Sequence, residues 1–362
     1  MYSSRGVRSH TRWDPETISQ SSIALQYCSD GYSYVGDRLI EDGIVEEVAS
    51  FVEVGRHHGH IEISKNHNVY AVPYVTCIED FVKPGDILFI RGGWKHWAPF
   101  MKKFQGQHWM VYYGAGTPRA HWPYWHAVLY DFLDKPRMGR YHPTIPFTKP
   151  IHPKIFHPVK SEKEYDILLN SCFHIYDKKG QYKVINAAVE YKKLYGEDLS
   201  IVMPGGTYRT ANTNKIPEII KQHNLNVTRP GTLSRPELNS LINKCRMYIH
   251  IGYGEQNARS ALEAMCCNLP LYIASPHLWP KFVSNHPRVT RLCTQADDPK
   301  KTAQEIHQML LDIQAKKFGK STKHFMTCNN PETTVKQLTD LIKVMKENPI
   351  PNQDILRASF GI

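Results

Sequence analysis

The sequence predicts an α/β protein built as two Rossmann-like, doubly wound parallel-sheet domains facing a cleft. Three observations carry this. Short apolar runs alternate with amphipathic helical stretches with great regularity between Tyr165 and Ala274. A looser alternation fills the first 130 positions, where apolar runs end in glycine turns and feed helices. Between the two lies a segment carrying prolines at 136, 143, 146, 150, 153 and 158, a poor helix and a poor central strand.

The 362 residues exceed one ordinary core, so two domains are expected, at 1–150 and 151–330, followed by a tail at 331–362. The first twenty residues mix Arg with polar residues and predict a loosely ordered start with no signal-peptide pattern. "SSIALQYCSDG" (21–31) predicts a strand running into a turn at Gly31, and 37–55 an amphipathic helix. "HIEIS" and "VYAVPY" predict short strands. "GDILFIRGG" (85–93) predicts a buried strand ending at Gly92 and leading into a helical "WKHWAPFMKKF". "HWMVYYGAG" (108–116) repeats that form with Gly114 and Gly116, and "WHAVLYDF" (125–132) follows suit.

In the second half the strands are "YDILLNSCF", "LSIVMPGG", "NVTRPGT", "RMYIHIG" and "LPLYIAS". The intervening helices are "QYKVINAAVEYKKLYG" with Gly196 at its end, "KIPEIIKQHN", "SRPELNSLINKC" and the segment after Tyr253. Ser234 followed three residues on by Glu237 has capping-box spacing. "PETTVKQLTDLIKVMKE" predicts a terminal amphipathic helix.

Composition narrows the function classes. At 41% hydrophobic and 22% charged the chain is ordinary globular protein, and no run of about 18 apolar residues predicts a membrane span. The eight cysteines form no CxxC pair or framework, which predicts reduced thiols and a cytoplasmic location. A net charge of +11 points to an anionic partner; without a block of basic residues it does not predict nucleic acid, and peripheral membrane contact stays open. No GxGxxG is present, against a dinucleotide oxidoreductase. "RHHGH" (56–60) has no second ligand group at metal spacing, and no metal is predicted.

The most informative stretch is "GYGEQNARSALEAMCCNLPLYIA" (252–274). Ala258, Ala261, Leu262 and Met265 recur at helical spacing, yet Glu263 sits beside that apolar stripe, where an unpaired carboxylate is costly. "E-Q-N-A-R-S-A-L-E-A-M-C-C-N-L-P-L" resembles the donor-site signature of retaining GT-B glycosyltransferases, most closely glycosyltransferase family 4 (group 1). Glu255 and Glu263 keep the spacing of seven intervening residues, and Asn268 stands where the family has a helix-ending Gly. "KPIHPKIFHPV" resembles the family's interdomain linker, "DKKGQYKVINAAVEY" its Lys-Gly-helix element, "LSIVMPGG" its strand-Gly element and "VTRPGTLSRPELNSLINKC" its base loop and following helix. The resemblance spans roughly 145–300, and the N-terminal half suggests a divergent member of the kind encoded by large algal viruses.

That resemblance implies a retaining, metal-independent transferase that moves a hexose from a UDP- or GDP-sugar to a glycan, glycoprotein or lipid-linked acceptor. The acceptor would sit on the N-terminal domain, and the tail helix would pack back onto it. Glu263 would accept the ribose hydroxyls and Glu255 would face the donor sugar. Gln256, Asn257, Ala258 and Arg259 would offer a helix N-terminus to the diphosphate. Lys179 with Gly180 would add a cation, and Gly205 and Thr232 would line the nucleotide. Alternatives are a non-catalytic nucleotide-sugar or glycan-binding protein and a GT-B nucleotide-sugar epimerase. The chain departs from the family at Phe173, where a phosphate-binding Arg is usual, leaving His174, Lys178 or Lys183 as substitutes. It departs again at Asn257, where Gly is common, and at Gly114-Ala115-Gly116, where many members carry a His that His121 or His126 would replace. Gly31, Gly92, Gly114 and Gly116 end strands on the expected cleft side.

Overall fold

The structure is a computed structural model that describes all residues except 1–30, 54–58, 73–74, 92–96, 114–121, 131–141, 171–176, 178, 207–214 and 254–256. The chain divides into two compact units. One combines residues 1–152 with 330–362, and the other spans 153–329.

The first unit opens with helix α1, Gly31–Glu41. Strands β1 (Val48–Glu53), β2 (Gly59–Ser64) and β3 (His67–Val72) form a small mixed sheet in the order β1-β3-β2. The helix predicted over 37–55 is therefore correct only for residues 37–41, where α1 ends. Gly43 takes a left-handed φ of 67° just after α1 and stops it. Beyond it, "VASFVE" is rich in β-branched and aromatic residues and pairs with β3 instead. The strand predicted over 21–31 lies outside the described residues, except that Gly31 begins α1. A Cβ on Gly31 would lie 2.2 Å from the Pro150 carbonyl oxygen, so this glycine serves a close backbone approach.

The larger sheet of this unit is parallel, in the order β4 (Ile87–Arg91), β5 (Trp109–Tyr113), β6 (Ala127–Tyr130) and β7 (Thr144–Pro146). Helix α2, Ala98–Phe104, connects β4 to β5. Strand β5 is buried along its whole length. Trp109, Val111 and Tyr113 join one core cluster, and Met110 and Tyr112 join another with Phe100, Met101, Trp125 and Val128. That two-sided burial is what an inner parallel strand requires. The proline-rich segment is not linker throughout, because β7 lies within it. Pro146 is accommodated because β7 pairs only with β6 in the described sheet.

The second unit holds a six-stranded parallel sheet in the order β10-β9-β8-β11-β12-β13. Its strands are β8 (Tyr165–Leu168), β9 (Ile201–Val202), β10 (Val227–Thr228), β11 (Cys245–His250), β12 (Leu271–Ile273) and β13 (Thr290–Leu292). Helix α3 (Gln181–Tyr195) ends at Gly196, whose left-handed φ of 71° closes it as predicted. Helices α4 (Lys215–Gln222) and α5 (Arg235–Asn243) follow, and Ser234 and Glu237 make the predicted capping box on α5. Helix α6, Arg259–Cys266, buries Ala261, Leu262 and Met265 and ends before Asn268, whose φ is 66°. Helices α7 (Lys281–Ser284), α8 (Pro299–Gln314) and α9 (Ser321–Cys328) complete the unit. Asn239 and Asn243, buried on α5, fix the entering chain: Asn239 Oδ1 accepts from His157 N, and Asn243 Oδ1 accepts from Val159 N at 2.8 Å.

Helices α10 (Pro331–Glu347) and α11 (Gln353–Phe360) belong to the first unit. Leu338, Leu341, Ile342 and Met345 of α10 share a core with Tyr32, Val35 and Leu39 of α1. Trp109 Nε1 donates to the carbonyls of Met345 (3.0 Å) and Asn348 (2.8 Å). Arg38 forks onto Glu332, with both Nη1 distances at 3.0 Å, and Gln353 Nε2 donates to Trp125 O.

His126 has a structural setting. It is 8% exposed, Met110 N–H donates to its Nδ1 at 3.0 Å, and the Trp109 ring meets it edge-on. Burial, aided by His142, pushes its imidazole down to about 4. The neutral form is thus favoured in the fold, and the unfolded chain binds the extra proton as pH falls below the ordinary value near 6.5. Thermal unfolding should show stability present above pH 6.5 and lost progressively towards pH 4. The loss should reach a few kcal/mol, at roughly 1.4 kcal/mol for each tenfold difference in proton affinity between the folded and unfolded chain. H126Q, which cannot take the proton, should flatten it. Trp109→Phe removes the indole N–H that the Met345 and Asn348 carbonyls share, and chemical denaturation should report a loss of about 1–2 kcal/mol.

Candidate functional site

In the second unit the chain winds outward from β8 through β9 to β10, then returns beside β8 and winds the other way from β11 to β13. The reversal falls between β8 and β11. At such a switch point the loops leaving neighbouring strands diverge, and a crevice opens beyond the strands' C-terminal ends. The described candidate residues of this unit gather at that edge or next to it.

Gly180 shows how tightly the elements meet. It precedes α3 with a φ of 82°, and a Cβ there would lie 2.7 Å from Gly252 N and 2.8 Å from the Ile251 carbonyl carbon. The Lys-Gly turn after β8 is thereby pressed against the loop after β11. Asp177 stabilises this turn: its backbone carbonyl accepts from Gly180 N, and its carboxylate accepts from Tyr182 N at 2.9 Å. Lys179 lies close enough to His250, the last residue of β11, to add to the depression of its imidazole, which burial pushes down to about 3. His250 is therefore neutral, 1% exposed, and edge-on to Trp279 at 5.2 Å between centroids.

Across the loop, Asn257 has a φ of 44° and is 2% exposed. The resemblance puts Gly at this position, and Asn is among the side chains that tolerate the left-handed region best. Ala258 then caps α6 in extended conformation, and Arg259 is its first residue. The α6 N-terminus follows the loop on which Gly180 packs, and Ser260 in its first turn hydrogen-bonds the Tyr248 hydroxyl of β11 at 2.7 Å, so a positive helix end lies at the same strand that the lysine-glycine turn meets. Gly205 and Thr232 come together at the ends of β9 and β10. Gly205, at φ 135°, donates its N–H to Gly231 O at 2.7 Å, and Thr232 Oγ1 lies 3.2 Å from where a Cβ on Gly206 would sit.

Glu263 is the buried charge of the site, with a side chain 2% exposed. Arg235 Nη1, at the start of α5, donates to Glu263 Oε1 at 2.6 Å. Asn170 Nδ2, just beyond β8, lies 3.4 Å from Oε2. The carboxylate beside the apolar stripe is thus held by a cation. Neither Arg235 nor Asn170 stands out in the sequence, because each is remote from Glu263 along the chain, by 28 and 93 positions. His250 is equally silent there, being one polar residue in an apolar strand.

Of the cations considered in place of Phe173, Lys183 is occupied. Its Nζ bonds Asp297 Oδ1 at 2.7 Å and lies 3.4 Å from the Tyr253 ring centroid, while Tyr253 Oη donates to Asp297 Oδ2. These partners hold the Asp297 carboxyl below the usual carboxylate range. Glu255, Gln256, Phe173, His174, Lys178, Gly92, Gly114, Gly116 and His121 lie outside the described residues. Gly31, the first residue of α1, packs against Pro150, and His126 is buried in the first unit's sheet with its Nδ1 accepting from Met110 N. Among the described residues no group of three His, Cys, Asp or Glu side chains could hold a metal ion, and no helix is long and apolar enough to cross a membrane.

Residues 154–325 match the family model described as Glycosyl transferases group 1. No curated protein matches the chain in sequence. Among solved structures, the sucrose-phosphate synthase of Thermosynechococcus elongatus superposes with a TM-score of 0.65 at 15% identity, covering 86% of this chain and 91% of that one. TarM of S. aureus gives 0.56 at 16% identity, over 74% of this chain and 57% of its own. The HepE protein of Anabaena, solved with UDP and glucose, gives 0.53 at 14% identity, over 65% and 72%. These likenesses establish the GT-B fold, and the family match falls on the unit that carries the switch-point site. The second unit therefore resembles a group 1 glycosyltransferase domain over residues 154–325, and the chain shares the GT-B fold of these structures.

Proposed function

We propose that the protein is a retaining, metal-independent hexosyltransferase that takes its sugar from a UDP- or GDP-linked donor and passes it to a glycan, glycoprotein or lipid-linked acceptor. The observation that carries this reading is the convergence of a buried carboxylate, a lysine-glycine turn and a helix N-terminus at one switch point. A nucleoside diphosphate needs those three things: an acceptor for ribose hydroxyls, a cation for phosphate and backbone N–H groups for its oxygens. Glu263 takes the first role, Lys179 the second, and the backbone from Asn257 to Ser260 the third. The complexes of HepE with UDP and glucose, and of TarM with UDP, lend the same ligand class to this fold.

In the reaction, the bond from the sugar's anomeric carbon to the diphosphate oxygen breaks and its electron pair leaves with the diphosphate. The acceptor hydroxyl oxygen bonds to the same face of that carbon, and its proton passes to the departing phosphate. Charge grows on the diphosphate, so Lys179 and the α6 N-terminus stabilise the transition state more than the bound donor. A fixed ammonium and a helix end supply the positive charge a metal would otherwise bring. Glu255 is assigned to the donor sugar's hydroxyls, with Gln256, Arg259, Gly205 and Thr232 around the nucleotide. The first unit is assigned to the acceptor, and the enzyme to the cytoplasm.

Calorimetric titration with UDP-glucose, GDP-mannose, UDP and GDP, each with Mg²⁺ and with a chelator, tests the reading. One-to-one binding confined to one base, unchanged by the chelator, is expected; absence of binding to all four would sink the donor site. Hydrogen bonds to charged groups contribute about 1.5–3 kcal/mol, so E263A should weaken the bound nucleoside diphosphate by roughly 10–100-fold. K179A should weaken the diphosphate by a similar factor while leaving the parent nucleoside nearly unaffected, a contrast that titration of both ligands resolves.

A further inference from the structure

Arg235 has no part in the roles assigned so far, yet it makes the closest described contact to the buried carboxylate, 2.6 Å from Glu263 Oε1. Its own side chain is only 14% exposed, and its guanidinium carbon lies 5.9 Å from the Phe156 ring centroid. It is also rigidly presented. It occupies the first position of α5, immediately after the Ser234 N-cap of the capping box and before Pro236. We propose that Arg235 is a positioning residue of the donor site, keeping Glu263 ionised and oriented so that the carboxylate accepts the ribose hydroxyls and distinguishes ribose from deoxyribose. This rests on the donor-site reading given above.

The chemistry runs through protonation state. An ionised carboxylate only accepts hydrogen bonds, whereas a protonated one offers an O–H in place of an acceptor. A carboxylate this deeply buried takes up a proton readily unless a cation faces it. The other described groups around it are mostly neutral. From β11, burial raises the Tyr248 hydroxyl above its ordinary range, which leaves it neutral, and His250 is neutral as well. At the end of α6 the Cys266 and Cys267 thiols are raised by burial and stay protonated, and Arg259 stands one turn before Glu263 with a half-buried side chain. From beyond β8 comes the Asn170 amide, and from α9 the Ser321 and Thr322 hydroxyls, which bond α6 carbonyls instead.

The test is calorimetry from pH 6 to pH 9 on wild type, R235M and R235K, using whichever of UDP or GDP the wild type binds and its 2′,3′-dideoxy counterpart. Wild type is expected to bind with little pH dependence and to prefer the ribose form. R235M should bind at least about tenfold more weakly at pH 6, recover as the pH rises and Glu263 ionises, and lose most of its preference for ribose. R235K keeps the charge on a flexible stem and should stay flat with pH while its ribose preference falls several-fold; it carries the test alone where R235M does not fold. A folded R235M with wild-type affinity at all pH values overturns the proposal, as does an equal loss for ribose and dideoxy ligands, or an R235K with unchanged preference. Failure of wild type to bind either nucleotide overturns the donor-site reading itself and this proposal with it, an outcome separate from normal wild-type binding with an indifferent Arg235.

Discussion

Parallel strands joined by crossovers of one hand leave a gap wherever the direction of winding reverses, and in the second unit that place lies between β8 and β11. The gap is not filled by the helices, because the helix after β8 and the helix after β11 lead away on different sides. The polar groups of the candidate site are organised around it. Gly180 lets the turn before α3 touch the loop after β11, the left-handed Asn257 bends that loop into α6, and α6 brings Glu263 beneath the gap. The neighbouring strand interiors are apolar, so the charges come from the helices and turns that follow them.

The site's electrostatics follow from burial. Glu263 would be an expensive residue in its apolar stripe were it not for Arg235, and an exposed pair of the same kind would add little. Burying both partners is itself costly, and a hydrophobic pair could be equally stable. The Arg235–Glu263 pair is therefore weak evidence for stability. His250 shows the same environment from the other side. With burial and a nearby lysine both disfavouring its proton, it contributes a neutral ring to the packing of Trp279 and adds no positive charge.

The first unit solves a different problem. Its described parallel strands run in simple sequence order, β4 to β7, and strand β5 is buried on both faces. One face is covered by α1 and by α10, a helix from the far end of the chain. The Trp109 hydrogen bonds to the end of α10 and the Arg38 fork onto its beginning anchor that helix at both ends. A polar tie at each end fixes the register of an apolar interface that area alone would leave free to slide.

Much of this was legible in the sequence, for physical reasons that differ by feature. The alternation after Tyr165 pointed to the α/β class and to the elements of the second unit from β8 to β12, because period and turn chemistry are local properties, whereas β13 and helices α7 to α9 were not read. The capping box at Ser234, the stop at Gly196 and the left-handed Asn268 were read from single residues whose backbone demands are local too. Glu263 was recognisable as a polar residue out of place on an apolar face. Locality also marks where the reading went astray: "VASFVE" fits a helical stripe and a strand equally well, and its pairing with β3 chose the strand. Pro146 argued against a strand until β7 proved to pair on one side only. Which cation meets Glu263, which amide joins it and which lysine is already taken by Asp297 depend on residues far apart in sequence meeting where sheet order folds back. No periodicity encodes such pairings, so the sequence by itself determined the elements and the misplaced carboxylate, and the tertiary structure alone decided that Arg235 answers it.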